Sequence, residues 1–142
     1  MIYVLFDSDV VIDFFLDREP FSEESRELFL RLLDGQFSAL MTAPSILNIY
    51  YLIRKPLGRQ GALECIGKIL ETSNLSVLSV EKQHLLEALE SAMTDYEDAV
   101  QASVADAANL DYIVTRNLKD YRQSLIKAVS PKEFISQIVK GR

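Results

Sequence analysis

The sequence predicts an α/β fold in which helices cover both faces of a mostly parallel β-sheet. Short apolar segments rich in β-branched and aromatic residues alternate with segments of helical periodicity along the chain. Prolines, glycines and capping residues separate these segments. The chain has 142 residues, of which 49% are hydrophobic, so we expect a single domain over residues 1–142 with a substantial core.

Five apolar segments predict the strands of the sheet, because each is short and bounded by turn-forming or capping residues. In chain order they are residues 2–6, 37–41, 75–80 and 112–115, with a short last strand over 126–129. Strands that alternate with helices are expected to run parallel, since each helical connection crosses back over the sheet.

Helical segments connect these strands. They are residues 9–16, 22–34, 44–55 and 60–72, a segment that follows residue 80 and ends near 93, residues 96–109, and a C-terminal segment from 131. Pro44 and Pro131 suit the first turn of a helix, and Ser22 and Ser130 are candidate N-caps. Pro56 and Gly58 predict a break between the third and fourth helices.

The composition restricts the possible functions. The net charge of −6 argues against a broad basic surface for nucleic acid, and it is compatible with clustered carboxylates or with a basic partner protein. The N-terminus has no basic region before its apolar run, which predicts no signal peptide. The uncharged run over residues 35–53 contains many polar residues, so we expect no membrane segment. The single Cys65 cannot form an intramolecular disulfide, which favours the cytoplasm.

Acidic residues follow the first strand and open a late helix. Asp7 ends the apolar strand 2–6, and Asp95 and Asp98 begin a later predicted helix. Since the carboxyl ends of parallel strands meet at one edge, Asp7 and the loop over 115–117 should lie together, with Asp98 presented toward the same place. Carboxylates gathered in this way favour the binding of a hard cation such as Mg²⁺ or Mn²⁺.

Each acid also has a purely structural interpretation. Asp95 suits the N-cap of its helix, and Asp98 then lies where the helix dipole favours an acid. Asp120 suits a turn, and Asp9 suits the cap of the first helix. A purely structural role is less expected for Asp7, because it terminates a buried strand.

Taken in order, these segments resemble the PIN domain family over almost the whole chain. The similar segments are the strand that ends at Asp7, residues 42–55, 95–101 and 113–121, and the tail over 130–134. The resemblance implies a three-layer α/β/α sandwich with a central, mostly parallel sheet. It also implies Mg²⁺- or Mn²⁺-dependent ribonuclease activity, as in the VapC-type toxins of bacterial toxin–antitoxin pairs.

Several residues match the metal-binding pattern that this resemblance implies. Asp7 matches the first metal-binding aspartate, Asp98 matches the third acid, and Thr115 matches a hydroxyl residue that accompanies the site. Asn48 and Asn117 stand where many members carry a glutamate and a fourth aspartate. Both amides retain a ligating oxygen, but each removes a negative charge, which predicts weaker metal binding.

These matches lead to a catalytic hypothesis for the site. Asp7 and Asp98 hold one divalent cation, and Asn117 or Asp120 contacts it directly or through water. The supporting residues are Asn48, Asp95 and Thr115. The candidate residues for holding the RNA backbone by charge are Arg116 and Lys119, for which solvated surface charge is the simpler interpretation.

Two other functions fit parts of the sequence. A PIN fold that has lost catalysis and binds RNA or protein is suggested by Asn48 and Asn117. An aspartyl phosphatase of the haloacid-dehalogenase type is suggested by the spacing of Asp7 and Asp9 after an apolar strand. That type also needs an acidic pair after a late strand, where this chain has Thr-Arg-Asn at 115–117.

The toxin resemblance also sets the expected partners. They are an RNA substrate, a small antitoxin protein and a second copy of the chain in a homodimer. Phe14, Phe15 and Phe29 are candidates for a partner groove, although core packing is the simpler expectation.

Overall fold

The computed structural model of the protein describes residues 1–139. Its strands are β1 (Tyr3–Phe6), β2 (Ser38–Thr42), β3 (Leu75–Leu78), β4 (Tyr112–Val114) and β5 (Ala128–Val129). They form one sheet of order β3-β2-β1-β4-β5, in which every pairing is parallel. The predicted parallel sheet is therefore confirmed. The predicted domain extends to Arg142, and residues 140–142 lie outside the described residues.

Helices connect these strands in the predicted order. They are α1 (Ser8–Phe15), α2 (Ser22–Leu33), α3 (Ala43–Glu71), α4 (Lys82–Leu89), α5 (Tyr96–Ala107) and α6 (Pro131–Glu133). A 3₁₀ turn covers Leu118–Tyr121, and a short π-helical segment covers Phe134–Ile138. Among residues 1–139, no helix has the length and apolar character needed to cross a membrane.

The central strand β1 contributes to both halves of the core. Val4 and Phe6 pack with α1, α2 and α3 on one face of the sheet, whereas Leu5 packs with α5 on the other. Since strand side chains alternate between faces, a continuously apolar strand is buried only when helices cover both faces. This confirms the predicted three-layer α/β/α sandwich. The candidates for a partner groove all pack in or against the core cluster that contains Val4 and Phe6: Phe14, Phe15 and Phe29.

The predicted break between two helices at Pro56 and Gly58 is confirmed, because two helical segments meet at a kink within α3. The helical segment continues to Glu71, and Gly58 alone departs from helical geometry, with φ of 77° and ψ of 166°. Glycine tolerates this conformation because it has no Cβ to clash with the backbone. Buried residues on both sides of this bend pack in the same core cluster.

The two predicted serine caps have different outcomes. Ser130 caps the C-terminal helix, because its Oγ accepts a hydrogen bond from the backbone N–H of Glu133 at 3.1 Å. Ser22 is instead the first residue inside α2 and is buried, and Phe21 occupies the N-cap position without a side-chain hydrogen bond. The prediction of a cap at Ser22 is therefore wrong by one position.

Candidate active site

The carboxyl ends of β1, β2 and β4 open into one cleft of about 480 Å³. β1 is the point at which the strand order reverses, because β2 and β3 lie on one side of it and β4 and β5 on the other. Open α/β sheets bind their ligands at such a switch point. Six of the nine predicted site residues line this cleft: Asp7, Asn48, Asp95, Asp98, Asn117 and Asp120.

Asp7 directly follows β1 and is the N-cap of α1. Its Oδ1 accepts hydrogen bonds from the backbone N–H of Ser8 at 2.8 Å and from Gln101 Nε2 at 3.1 Å. Its Oδ2 accepts a hydrogen bond from Thr115 Oγ1 at 2.8 Å. Asp7 is 6% exposed, and this burial raises the pKa of its carboxyl, while the hydrogen bonds oppose the rise. Three donors thus fix the orientation of a buried carboxyl group at the cleft.

Asp98 lies in the first turn of α5 and is partly buried at the cleft. Its Oδ1 accepts a hydrogen bond from the Tyr121 hydroxyl at 3.1 Å. Asp95 caps the helix by accepting a hydrogen bond from the backbone N–H of Asp98 at 2.9 Å, which confirms its structural interpretation.

Burial is the largest cause that raises the pKa of Asp98 to about 7. Nearby carboxylates add to this rise, and they are those of Asp7, Asp95 and Asp120. These acids therefore lie close enough to repel one another.

Two residues that the sequence did not reveal as site residues connect Asp7 and Asp98. Gln101 Nε2 donates to Asp7 Oδ1 and also to the Tyr121 hydroxyl oxygen at 3.0 Å. Tyr121 in turn donates its hydroxyl hydrogen to Asp98. Gln101 lies three residues after Asp98 and shares its helix face, so this spacing could have identified Gln101 as a site residue from the sequence. Tyr121 had no such signal, because its contacts with the cleft arise only from the tertiary fold.

Asp9 also lines the cleft, although the sequence predicted only a capping role for it. Asp7 takes that capping position. Asp9 Oδ2 accepts a hydrogen bond from the backbone N–H of Arg116 at 3.0 Å. Its Oδ1 is buried and has no hydrogen-bond partner among residues 1–139. Burial, followed by the charge of Asp7, raises the pKa of Asp9 to about 7, so Asp9 is a further carboxyl group of the site.

The other predicted residues approach the cleft from separate elements. Asn48 lies on α3, Asn117 precedes the 3₁₀ turn, and Asp120 lies within that turn. Thr115 is fully buried behind Asp7. Its hydroxyl oxygen also accepts the backbone N–H of Asn117 at 3.0 Å. Thr115 therefore links the orientation of Asp7 to the loop that carries Asn117.

The two predicted RNA-binding residues lie outside the lining of the cleft. The Arg116 guanidinium pairs with the fully buried carboxylate of Asp13, with 3.1 Å between Nη2 and Oδ1, and lies 3.8 Å from the centroid of the Phe21 ring. Arg18 Nε donates to the same carboxylate at 2.8 Å. A buried charge is costly without such partners, which gives Arg116 a structural role. Lys119 is exposed on the 3₁₀ turn.

The cleft is lined by carboxylate and amide oxygens, which are the donor types that a hard divalent cation takes. Within residues 1–139, no group of three or more His, Cys, Asp or Glu side chains is arranged to hold a metal ion. The cleft does bring together two predicted carboxylate ligands, two amides and the unpartnered buried oxygen of a third acid, from Asp7, Asp98, Asn48, Asn117 and Asp9. Oxygen donors with water in the remaining positions are the surroundings that Mg²⁺ and Mn²⁺ prefer.

Comparison with known proteins gives one family match. The family model described as PIN domain matches residues 3–119, a segment that includes both Asp7 and Asp98. No curated protein sequence matches the chain significantly.

Solved structures with a similar fold include VapBC complexes and a toxin. VapBC2 from Rickettsia felis, bound to a DNA fragment from its promoter, is 17% identical with a TM-score of 0.70, over 92% of this chain and 98% of that chain. DNA-bound VapBC from Salmonella typhimurium is 20% identical with a TM-score of 0.68, over 92% and 99%. Mycobacterium tuberculosis VapC20, a toxin that cleaves the sarcin-ricin loop, is 10% identical with a TM-score of 0.63, over 78% and 86%. At these identities the likeness shows a shared fold.

Proposed function

The chain belongs to the PIN domain family, and from this premise we propose that it is a divalent-metal-dependent endoribonuclease of the VapC type. The observation that carries the proposal is the pair Asp7 and Asp98, joined by one hydrogen-bond network in a cleft at the switch point of the sheet. The fold neighbours support it, since one of them is a toxin that cleaves the sarcin-ricin loop. The proposed reaction is cleavage of RNA phosphodiester bonds.

In the proposed site, Asp7 and Asp98 would hold one Mg²⁺ or Mn²⁺ ion, and Asn117 or Asp120, which also line the cleft, would contact it directly or through water. When bound, such an ion acts as a Lewis acid on the phosphodiester and activates water for attack. Thr115 orients Asp7 through its hydroxyl, so that this carboxyl group is already positioned before any ion binds. The chain's own contribution is therefore a preorganised set of oxygen donors.

RNA must enter an acidic cleft, so the cation and nearby basic groups are needed to hold its backbone. Lys119 is our candidate for this contact, because it is exposed on the 3₁₀ turn. Arg116 is better assigned to holding the loop after β4, since Asp13 occupies its guanidinium. Asn48 and Asp95 support the site from α3 and from the cap of α5.

We extend the proposal to a toxin of a toxin–antitoxin pair, which acts in the cytoplasm with a small antitoxin protein as its partner. Two fold neighbours are VapBC complexes bound to DNA, which supports a partner of this kind. We also propose a homodimer, because Leu47, Tyr51 and Leu52 expose more than half of their surface on α3. Cys65 is free and buried, in keeping with a reducing compartment.

Replacement of Asp7 or Asp98 by asparagine tests the nuclease function. Each variant removes one ligand charge and should lower kcat on single-stranded RNA about 100-fold or more, since a catalytic ion contributes several kcal/mol of transition-state stabilisation. Rates are measured for the purified chain in Mn²⁺ and in excess chelator. Asp106→Asn is the matched control, because Asp106 is an exposed acid of α5 outside the cleft lining.

The expected result is cleavage by the wild type and the Asp106 variant in Mn²⁺, with loss of cleavage in chelator and in both site variants. Equal cleavage in chelator and in Mn²⁺, or wild-type rates in both site variants, contradicts the proposed mechanism.

A second candidate function is a PIN-fold module that binds RNA or protein without cleaving it. Asn48 and Asn117 favour it, because each places an amide where the resemblance implies a carboxylate. Calorimetry separates the two functions: heat of Mn²⁺ binding at millimolar concentration supports the nuclease, and its absence supports the module. Family membership argues against the aspartyl phosphatase, whose site needs a late acidic pair.

A further inference from the structure

A chain of directed hydrogen bonds crosses the floor of the cleft. It begins at Thr42, whose Oγ1 donates to Gln101 Oε1 at 3.3 Å. Gln101 Nε2 then donates to Asp7 Oδ1 at 3.1 Å and to the Tyr121 hydroxyl oxygen at 3.0 Å. Tyr121 donates its single hydroxyl hydrogen to Asp98 Oδ1 at 3.1 Å. The chain therefore connects Asp7 to Asp98 through two neutral side chains.

The direction of each hydrogen bond is determined by chemistry. The Gln101 amide has two N–H hydrogens, and both have an acceptor in this network. Its oxygen faces a hydroxyl group of Thr42, whose own oxygen accepts the backbone N–H of Ser45 at 3.2 Å. A flipped Gln101 amide would turn its oxygen toward the carboxylate of Asp7, which has no hydrogen to donate when ionised. In this arrangement both amide hydrogens and the amide oxygen of Gln101 have partners.

The bridge is rigid because its members are buried and come from different elements. Gln101 is 8% exposed and Tyr121 is 2% exposed. Gln101 lies on α5, Tyr121 ends the 3₁₀ turn, and Thr42 lies at the junction of β2 and α3. A buried hydrogen-bond network whose members are all satisfied specifies one geometry, since any rearrangement leaves a donor or acceptor unpaired.

The neutrality of the bridge suits a cation site. A lysine or arginine between Asp7 and Asp98 would neutralise these acids and compete with a metal ion for them. Gln101 and Tyr121 donate hydrogen bonds to the acids without adding positive charge, so the negative charge of the site remains available. Hydrogen bonds of this kind orient metal ligands, and their loss typically weakens metal binding about 10–100-fold.

We propose that Gln101 and Tyr121 are positioning residues that fix the orientation of Asp7 and Asp98 for binding a single divalent cation. This inference rests on the proposed nuclease function and adds two residues to its site. With amides at positions 48 and 117 instead of acids, fewer charges attract the cation. Binding therefore depends more on the fixed orientation of the remaining carboxylates, which the Gln101–Tyr121 bridge supplies.

Two variants remove the bridge with little change in shape. Tyr121→Phe deletes only the hydroxyl group and leaves the ring in the core, and Gln101→Met keeps the chain length without hydrogen-bond donors. Tyr112→Phe is the matched control, because it removes a hydroxyl from a partly buried tyrosine of β4 outside the cleft lining. Calorimetry gives the Mn²⁺ affinity of each protein, and RNA cleavage gives kcat and KM.

The inference predicts that Tyr121→Phe and Gln101→Met each weaken Mn²⁺ binding at least about tenfold. Both should lower kcat with little change in KM for RNA, and Tyr112→Phe should match the wild type. If Tyr121→Phe does not fold, as judged by its thermal transition in chelator, the comparison rests on Gln101→Met.

Wild-type Mn²⁺ affinity in the folded bridge variants overturns the positioning role while leaving the nuclease function intact. A wild-type protein that neither binds Mn²⁺ nor cleaves RNA overturns the nuclease function and this inference together. The two failures are distinguishable, because only the second affects the wild-type protein.

Discussion

At the scale of single residues, the site is defined by carboxyl groups whose burial disfavours their charged form. The pKa of Asp98 rises from 3.8 to about 7, first because of burial and then because of neighbouring acids. Asp9 shows the same rise, with burial as the first cause and the charge of Asp7 as the second. Perturbed carboxyl groups of this kind cluster at functional sites. In the metal-free protein near neutral pH, both groups are therefore poised between their protonated and charged forms.

The pH dependence of stability should report these raised pKa values. Between 3.8 and about 7, the folded chain binds more protons at Asp98 than the unfolded chain does. This contribution to stability is fully present below the unfolded pKa and is lost as the pH rises through the folded pKa. We therefore expect a higher unfolding temperature near pH 5 than near pH 8 in chelator, as measured by circular dichroism.

Asp98→Asn provides the comparison for that measurement, because an amide does not titrate. Its unfolding temperature should change less between the two pH values, with Asp9 retaining part of the effect. In the wild type, Mn²⁺ should bind more weakly below about pH 7, since protons compete for Asp98. An Asp98→Asn protein with the full wild-type pH dependence contradicts this account.

At the scale of elements, the bend in α3 that Pro56 and Gly58 predict joins two helical halves that both pack in the core. The first half of the helix carries Asn48 to the cleft, and residues of both halves enter the core on one face of the sheet. Around the bend, residues 54–60 are exposed. Gly58 adopts a φ/ψ combination that is nearly restricted to glycine, so the bend depends on this residue.

Gly58→Ala should destabilise the chain by roughly 1–3 kcal/mol, because alanine is strained at that backbone conformation. A Cβ at this position would meet no atom within 4 Å, so the cost is conformational and not a clash. Urea denaturation measures the change in the free energy of unfolding. Gly67→Ala is the matched control, because Gly67 lies in the same helix and a Cβ there also meets no atom within 4 Å.

The control should be neutral or stabilise the chain by up to about 1 kcal/mol, since alanine has the higher helix propensity. Equal effects of the two substitutions would show that the backbone at Gly58 imposes no special requirement.

At the scale of the whole molecule, two surface features stand out: an acidic cleft and a set of exposed apolar side chains on α3. Carboxyl groups concentrate in the cleft at the carboxyl edge of the sheet. Large apolar side chains are exposed along α3, where Leu47 and Tyr51 are four residues apart and so lie on one stripe. Exposed apolar side chains that share one face of a surface helix are a common feature of protein interfaces.

We expect the purified chain to be a homodimer with twice the 16.1 kDa mass of the single chain in light scattering. Leu47→Glu should shift the mass to that of the single chain, because it places a charge in the apolar stripe. Leu125→Glu is the control, since Leu125 is 83% exposed on a different part of the chain. A monomeric wild type contradicts the proposed homodimer, as does a Leu47→Glu protein that remains dimeric.

The sequence by itself determined the fold class, the order of the elements and the two acids on which the site is built. Periodicity and capping are local properties, and Asp7 and Asp98 stand at ends of elements that local patterns identify. The kink in α3 was predictable for the same reason, because Pro56 and Gly58 are local break signals.

Only the tertiary structure decided how those acids are held and which charges are free. Gln101 is 94 residues from Asp7, and Arg116 is 103 residues from Asp13, so no local pattern relates either pair. Folding buries these side chains, and burial makes each polar group require a specific partner. Tyr121 therefore donates a hydrogen bond to Asp98, and Arg116 pairs with Asp13. Of the two residues predicted to bind RNA, Lys119 is the one that remains exposed.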